Sequence, residues 1–181
     1  MYGNCCYLIM ESLNLKRTMY LTEDEIRDNA KVILGFDEKD PNVKQGTGQI
    51  TTFNQLGFKG VSDKPDGWYL PNDKQDIAII LETKSEKEDV FSEKHYAELV
   101  KNIEIAALQY KRVVGILYNG TDVRVIKYIK GSEQYEEIAD VAKTLQNKRY
   151  YIALFKENRI NKQLIYSLTK KINDCCMSNL V

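Results

Sequence analysis

The residues best suited to chemistry are two acids and a lysine near the middle of the chain. Pro65-Asp66 is followed, after fifteen residues, by Glu82-Thr83-Lys84. Because side chains alternate along a strand, Glu82 and Lys84 project from one face and Thr83 from the other. Two carboxylates on neighbouring strands suit a hard divalent cation, which polarises a phosphate and lowers the pKa of an attacking water. The pattern predicts a Mg²⁺ site, with Mn²⁺ as a substitute, at Asp66 and Glu82. Lys84 would orient or deprotonate the water, or neutralise transition-state charge.

The spacing of an acid two residues before a lysine is not specific by itself. It occurs twice, at Asp37-Glu38-Lys39 and at Glu82-Thr83-Lys84. The second copy ends an apolar run and follows a Pro-Asp at hairpin distance, which favours it. The alternative, a surface glutamate and lysine that close a strand, stays open.

Two strands are needed to position these side chains. Gly67 to Leu70 and Ile77 to Lys84 have strand composition and are joined through the turn sequence Pro71-Asn72-Asp73. The run Ile77 to Leu81 is apolar without alternation, so we expect a central strand that is covered on both faces. Hairpin pairing would bring the Asp66 carboxylate beside Glu82.

A helix begins before these strands. Thr22 and Glu25 form a capping-box pattern, and Gly35 can end the helix. Glu23 precedes Ile26 by three residues, so it lies at the end of the apolar stripe and points the same way. The stripe itself comprises Ile26, Ala30, Ile33 and Leu34.

The other elements predict an α/β class. Residues 38–60 indicate a long connection with one weak strand at Gln49 to Phe53, and a helix is expected from Ser92 to Tyr110. Val113 to Leu117 and Val123 to Ile129 are strands on either side of the hairpin sequence Asn119-Gly120. From Glu136 onward we expect helices. Together these predict a central mixed β-sheet of about four to five strands, flanked by helices, with a helical C-terminal part.

Composition limits the broad class. The chain has 181 residues, 43% of them apolar, with 26 basic and 26 acidic residues. It can bury one sizeable core, and net charge supplies no general attraction for nucleic acid. The apolar stretch near Tyr7 to Met10 is too short to span a membrane, and the adjacent pairs Cys5-Cys6 and Cys175-Cys176 lack zinc-ligand spacing. We therefore expect a reduced, cytoplasmic protein with no membrane association.

Any affinity for DNA must come from local basic patches. Lys64 and Lys87 flank the acidic motif, and Lys148 and Arg149 belong to a basic tract, so these four are the candidates for DNA contact. The alternative for the tract is a solvated helix face. Its members are Lys143, Lys148, Arg149, Lys156, Arg159, Lys162, Lys170 and Lys171, against the single acid Glu157.

Other candidate sites are weaker. His95 is the only histidine, which argues against HNH nucleases and HExxH zinc hydrolases, and we expect it to be partly exposed. Gly46-Thr47-Gly48 is not followed by GKS or GKT, so it is no phosphate loop. Trp68 can stack on bases or pack in the core, and packing is favoured.

The order of these motifs resembles the PD-(D/E)xK nucleases, in particular the N-terminal endonuclease domain of restriction-modification enzymes. Those enzymes are type I motor subunits and proteins that fuse a nuclease to a methyltransferase. The resemblance starts at about Leu21, and it runs through the helix with Glu23, Pro65-Asp66, Ile79-Ile80-Leu81-Glu82-Thr83-Lys84, a helix, and Val114-Gly115-Ile116-Leu117-Tyr118-Asn119-Gly120.

The resemblance implies a restriction-endonuclease-like core and a Mg²⁺-dependent endonuclease with Asp66, Glu82 and Lys84 as its catalytic residues. It adds Glu23 as a third acidic metal ligand.

The resemblance also implies a substrate and partners. The substrate would be double-stranded DNA, cleaved to a 5′ phosphate and a 3′ hydroxyl. The partners would be fused or associated methyltransferase, motor or specificity domains, and a homodimer would cleave both strands. One domain would cover 1–181, with an extension at 1–20, a catalytic core at 21–135, and a helical segment at 136–181 that leads toward a further domain through Ile165 to Asn173.

One family motif is not matched. Many members carry a Gln and, four residues later, a Tyr on the helix after the lysine, where the nearest register here gives Glu98 and Asn102. Either the motif is absent or it is displaced to Gln109-Tyr110. The mismatch favours an alternative function, a catalytically silent DNA-binding or docking module on the nuclease scaffold. A third interpretation, a metal-free interaction domain, predicts that Asp66, Glu82 and Lys84 are dispersed.

Overall fold

A mixed β-sheet with helices on both faces forms the framework of the protein. The computed structural model describes residues 20–132, 134–138 and 143–156, and within them the sheet has six strands in the order β1-β2-β3-β4-β5-β6. The elements are α1 (Glu23–Leu34), β1 (Val43–Thr47), α2 (Phe53–Leu56), β2 (Gly67–Pro71), β3 (Ile77–Thr83), α3 (Glu93–Ala107), β4 (Arg112–Tyr118), β5 (Val123–Ile129) and β6 (Tyr135–Glu137). Residues 148–156 are also helical.

Strand direction alternates across the sheet except at its centre. β3 and β4 are parallel and are connected through α3, whereas every other neighbouring pair is antiparallel. Residues Ile77 to Leu81 of β3 are buried, which agrees with an apolar strand covered on both faces. The predicted hairpins β2–β3 and β4–β5 are both confirmed.

The alternation of β3 divides the core into two layers. Ile79 and Leu81 pack with the buried side of α1, while Ala78 and Ile80 pack with α3 on the opposite face. Gly115 of β4 lies against α3, where an added Cβ would come within 2.4 Å of the Cδ1 of Ile103. The Ile103 side chain therefore occupies the space that a Cβ at this position would need.

α1 begins and ends where local chemistry predicts, whereas α3 begins as expected but ends at Ala107, before the expected Tyr110. Thr22 and Glu25 form the capping box of α1, and Gly35 ends it at φ 70°, a left-handed conformation that favours glycine. Ser92 caps α3 through the amide of His95. Ile33, expected on the buried stripe of α1, is instead 39% exposed, because the apolar buried face of the helix comprises only Ile26, Ala30 and Leu34.

The sheet has more strands than the predicted four to five. The weak strand expected at Gln49 to Phe53 is wrong, because the strand lies earlier, at β1, and Thr52 caps the short helix α2. The helical segment expected from Glu136 instead starts with β6, which pairs with β5. A boundary at residue 135 would therefore cut through a strand.

Several sequence predictions fall outside the described residues. These are the extension up to residue 19, both cysteine pairs, and the distal tract from 157 onward, which includes Arg159, Lys162, Lys170, Lys171 and the segment Ile165 to Asn173. Among the helices that the structure describes, none has the length and apolar character needed to cross a membrane.

Candidate active site

The pairing of β2 with β3 brings the two motif acids to the same end of the sheet. Gly67 pairs with Leu81, so Asp66 and Glu82 are the next residues along the two strands. Their side chains are only 14% and 12% exposed. Burial, together with the neighbouring charge of Asp66, raises the pKa of Glu82 to about 7. The two carboxylates are therefore close enough to repel each other, and both are largely shielded from solvent.

The Asp66 carboxylate is fixed on both of its oxygens. Thr83 donates to Oδ2 through its backbone N–H at 2.7 Å and its hydroxyl at 2.9 Å. Arg27 donates through Nε to Oδ1 at 3.1 Å. Thr83, which alternation turns away from Glu82 and Lys84, therefore orients the aspartate from the other side of the strand.

Arg27 connects Asp66 to the beginning of α1. Its side chain is 6% exposed, and it donates to Glu23 at 2.8 Å and to Asp24 at 2.7 Å. Burial and the charge of Asp66 raise the pKa of Glu23. Glu23 therefore lies near Asp66, and the Arg27 guanidinium bridges the two carboxylates.

Lys84 lies between two carboxylates on the α3 side of the sheet. Its Nζ is 2.9 Å from Oε1 of Glu82 and 2.9 Å from Oε2 of Glu98. Burial lowers the pKa of Lys84, but Glu82 and Glu98 outweigh that effect and hold the pKa well above its usual value. The second oxygen of Glu82 accepts from Nδ2 of Asn102 at 3.0 Å. Lys84 is therefore an ammonium, paired on both sides.

A polar chain continues from Lys84 toward the loop that follows β3. Oε2 of Glu98 also lies 3.2 Å from Nδ1 of His95, and Nε2 of His95 lies 3.6 Å from Oε1 of Glu88. Glu88 in turn accepts from the amide and hydroxyl of Ser85. The expectation of a partly exposed His95 is wrong: the residue is buried, because α3 turns it toward these acids.

The structure locates both residue pairs that were considered for the Gln and Tyr on the helix after Lys84. Glu98 and Asn102, the nearest register, both contact the motif residues Lys84 and Glu82. Gln109 instead donates to the carbonyl of Gly57, and Tyr110 donates to the carbonyl of Pro71, at the far end of β2. Gln109 and Tyr110 therefore lie away from Glu82 and Lys84, whereas Glu98 and Asn102 contact them.

The donor set matches a hard divalent cation in type. No group of three or more His, Cys, Asp or Glu residues in the described part of the chain is arranged to hold a metal ion. Magnesium is commonly bound by one or two carboxylates and completed by waters, so Asp66 and Glu82 fit the ion in number and chemistry. Burial and the neighbouring charge of Asp66 both disfavour the ionised form of Glu82, and a bound cation would favour it.

The four candidates for DNA contact divide into two groups. Lys64 precedes the acidic motif, Lys87 lies in the loop after β3, and both are exposed. Lys148 is wrong as a DNA contact, since it is 5% exposed and donates to the carbonyl of Gly35 and to Glu38. Arg149 is exposed beside Glu38, beyond the C-terminal end of α1, whereas the site lies at the N-terminal end.

Several site residues were missed by the sequence analysis. Arg27 lies three residues from Asp24 and four from Glu23, a spacing that signals helix ion pairs, but its contact with Asp66 needs the tertiary fold. Glu98 and Asn102 were named only as the nearest register of a family motif, because their spacing of one helical turn shows only that they share a face. Trp68 is buried in the core, so packing rather than base stacking explains it.

Comparison with known proteins adds no assignment: the chain matches no family model, no curated protein and no solved structure.

Proposed function

We propose that this chain is a Mg²⁺-dependent endonuclease domain of a restriction-modification system that hydrolyses phosphodiester bonds of double-stranded DNA. The observation that carries the proposal is that the pairing of β2 with β3 leaves Asp66 and Glu82 at the same end of the sheet, with Lys84 2.9 Å from Glu82. Such a concentration of buried charge is costly without a purpose. The motif order described above supplies the class of reaction.

Each residue has a specific task in this proposal. Asp66 and Glu82 would hold the ion, with Glu23 as a third ligand that becomes available when Arg27 gives way. The ion would polarise the phosphate and acidify a bound water. Lys84 acts as a positive charge beside the phosphate rather than as the base, because its raised pKa keeps the amine protonated.

The partners follow from the same proposal. Lys64 and Lys87, both exposed, are the candidates for contact with the DNA backbone near the site, and Arg149 is a more distant one. Sequence choice would belong to an associated methyltransferase, motor or specificity domain. Cleavage of both strands would need two such centres, as in a homodimer, or two visits by one centre.

Plasmid nicking tests the proposal directly. Supercoiled plasmid is incubated with the chain and Mg²⁺ or Mn²⁺, and the Lys84→Ala variant should lose at least about 100-fold in rate. Lys39→Ala is the matched control, because Asp37-Glu38-Lys39 has the same acid-to-lysine spacing away from the site. Equal nicking by wild type and Lys84→Ala, or none by wild type on plasmids that carry many sequence contexts, would contradict the proposal.

One observation favours the alternative, a catalytically silent DNA-binding or docking module. Arg27 already supplies a positive charge to Glu23, Asp24 and Asp66, which is the role that a bound cation would fill. This module predicts DNA binding that needs no cation and produces no nicks. A gel-shift measurement with and without EDTA, run beside the nicking assay, separates the two functions.

A further inference from the structure

Lys84 is held by a second carboxylate that belongs to α3 and not to the acidic motif. Its Nζ is equally distant, at 2.9 Å, from Glu82 and from Glu98. Both oxygens of Glu82 already have a partner, because Asn102 donates to the other one. A cation that binds Glu82 therefore competes with the Lys84 ammonium for the same carboxylate.

Glu98 is itself fixed by a buried partner. Its Oε2 contacts both Lys84 and Nδ1 of His95, and the other ring nitrogen of His95 faces Glu88. Glu88 is anchored in turn, since its carbonyl accepts from Nδ2 of the buried Asn119 at 2.8 Å. The chain of contacts ties the lysine to the α3 side of the site without passing through Glu82.

We propose that Glu98 and His95 are positioning residues: Glu98 retains the Lys84 ammonium at the site when Glu82 turns to a cation, and His95 holds Glu98 in place. The cation part of this inference rests on the proposed function. The anchoring of Lys84 by Glu98 does not, because it is expected in the metal-free protein as well.

The test measures how readily the Lys84 amine is reductively methylated, by mass spectrometry of peptides from the full chain. In Glu98→Gln without cation, labelling of Lys84 should rise about ten-fold, because the ammonium leaves its remaining partner more often. Lys148, which is buried on the other side of the sheet, is the internal control and should not change. Glu93→Gln removes the same charge from the same helix away from Lys84 and should behave as wild type.

Variants of His95 separate positioning from general loosening. His95→Leu should raise labelling of Lys84, and His95→Gln, which keeps an N–H for Glu98, should restore most of the protection. Added Mg²⁺ should leave labelling unchanged in wild type and raise it further in Glu98→Gln. Unchanged labelling of Lys84 in Glu98→Gln, or an equal rise at Lys148, overturns the inference.

Calorimetry on the same samples keeps the two proposals distinguishable. If Mg²⁺ does not bind wild type, the metal-dependent function fails, while a rise in Lys84 labelling in metal-free Glu98→Gln still supports the anchoring role. If Mg²⁺ binds and Lys84 labelling is the same in wild type and Glu98→Gln, the function stands and the positioning role is refuted.

Discussion

Arg27 of α1 donates a hydrogen bond of 3.1 Å from Nε to Oδ1 of Asp66, the residue that precedes β2. The guanidinium is almost fully buried, and its remaining nitrogens bind Glu23 and Asp24 at the start of α1. A helix side chain thereby compensates the aspartate that begins β2. The Arg27 guanidinium therefore offsets part of the negative charge of Glu23, Asp24 and Asp66. A cation that binds these acids would compete with Arg27 for them.

Substitution of Arg27 by Met should expose that competition. Loss of the guanidinium leaves Asp66 and Glu23 facing each other, and we expect the free energy of unfolding to fall by about 2 to 4 kcal/mol. Mg²⁺ should restore part of this loss if the acids hold a cation. The measurement is urea unfolding with and without about 10 mM Mg²⁺.

Arg124→Met is the control for Arg27→Met. Arg124 is also largely buried and pairs with Glu137 on the β5–β6 side of the sheet. Its removal should cost stability that Mg²⁺ does not restore. Equal recovery of both variants, or of neither, would argue against a cation site at Asp66.

The raised pKa of Glu82 predicts a pH dependence of stability. Because the folded pKa is about 7 and the ordinary value is 4.5, the folded protein binds the proton more tightly than the unfolded chain. The protonated Glu82 carboxyl therefore contributes on the order of 3 kcal/mol to the free energy of unfolding. This stabilisation is fully present below about pH 4.5 and is lost as the pH rises through 7. Urea unfolding at pH 5 and pH 8 measures it.

Glu82→Gln should flatten this decline, because the amide does not titrate. Glu93→Gln, a charge change on α3 away from the site, should keep it. A decline that is equally steep in Glu82→Gln and wild type would show that Glu82 is not the group responsible.

The Thr83 hydroxyl should contribute to the orientation of Asp66. Thr83→Val keeps the shape and the backbone N–H donor but removes the 2.9 Å bond to Oδ2. We expect a loss of about 1 kcal/mol in unfolding free energy and weaker Mn²⁺ binding by calorimetry. Thr83→Ser, which keeps the hydroxyl, should retain the affinity for Mn²⁺, and a Thr83→Val protein that binds as tightly as wild type would contradict this role.

Gly115→Ala should disturb the site from a distance. The new Cβ would lie within 2.4 Å of Cδ1 and 2.9 Å of Cγ1 of Ile103, so the Ile103 side chain must shift and the packing of α3 on the sheet must adjust. We expect a loss of about 1 to 3 kcal/mol and a weaker Asn102–Glu82 contact, seen as a lower melting temperature together with reduced nicking. At Gly48 a Cβ would meet only Thr51 Oγ1 at 3.8 Å, so Gly48→Ala should change neither quantity.

Local signals account for the parts of the fold that were predicted correctly. The capping box at Thr22, the apolar run of β3 and the Asn119-Gly120 turn each depend on neighbours in sequence. β1 was missed because its composition is polar and it gains its ladder only from β2. β6 has three residues, too few for a periodic signal.

The site residues likewise divide into those that local sequence patterns predict and those that depend on tertiary packing. Alternation along β3 was sufficient to place Glu82 and Lys84 on one face, and hairpin pairing was sufficient to place Asp66 and Glu82 at the same end of the sheet. Arg27 and Glu98 come from helices far away in sequence, on opposite faces of the sheet. Their contacts depend on how α1 and α3 pack, which no local pattern encodes.

The central claim, that Asp66 and Glu82 share one divalent cation, is tested most directly by titration calorimetry of Mn²⁺ into the chain at pH 8. The account predicts one binding event in wild type that Asp66→Asn and Glu82→Gln each weaken by about ten-fold or more, with Glu93→Gln unchanged. Binding of equal strength in wild type, Asp66→Asn and Glu82→Gln, or no binding in wild type, would contradict it.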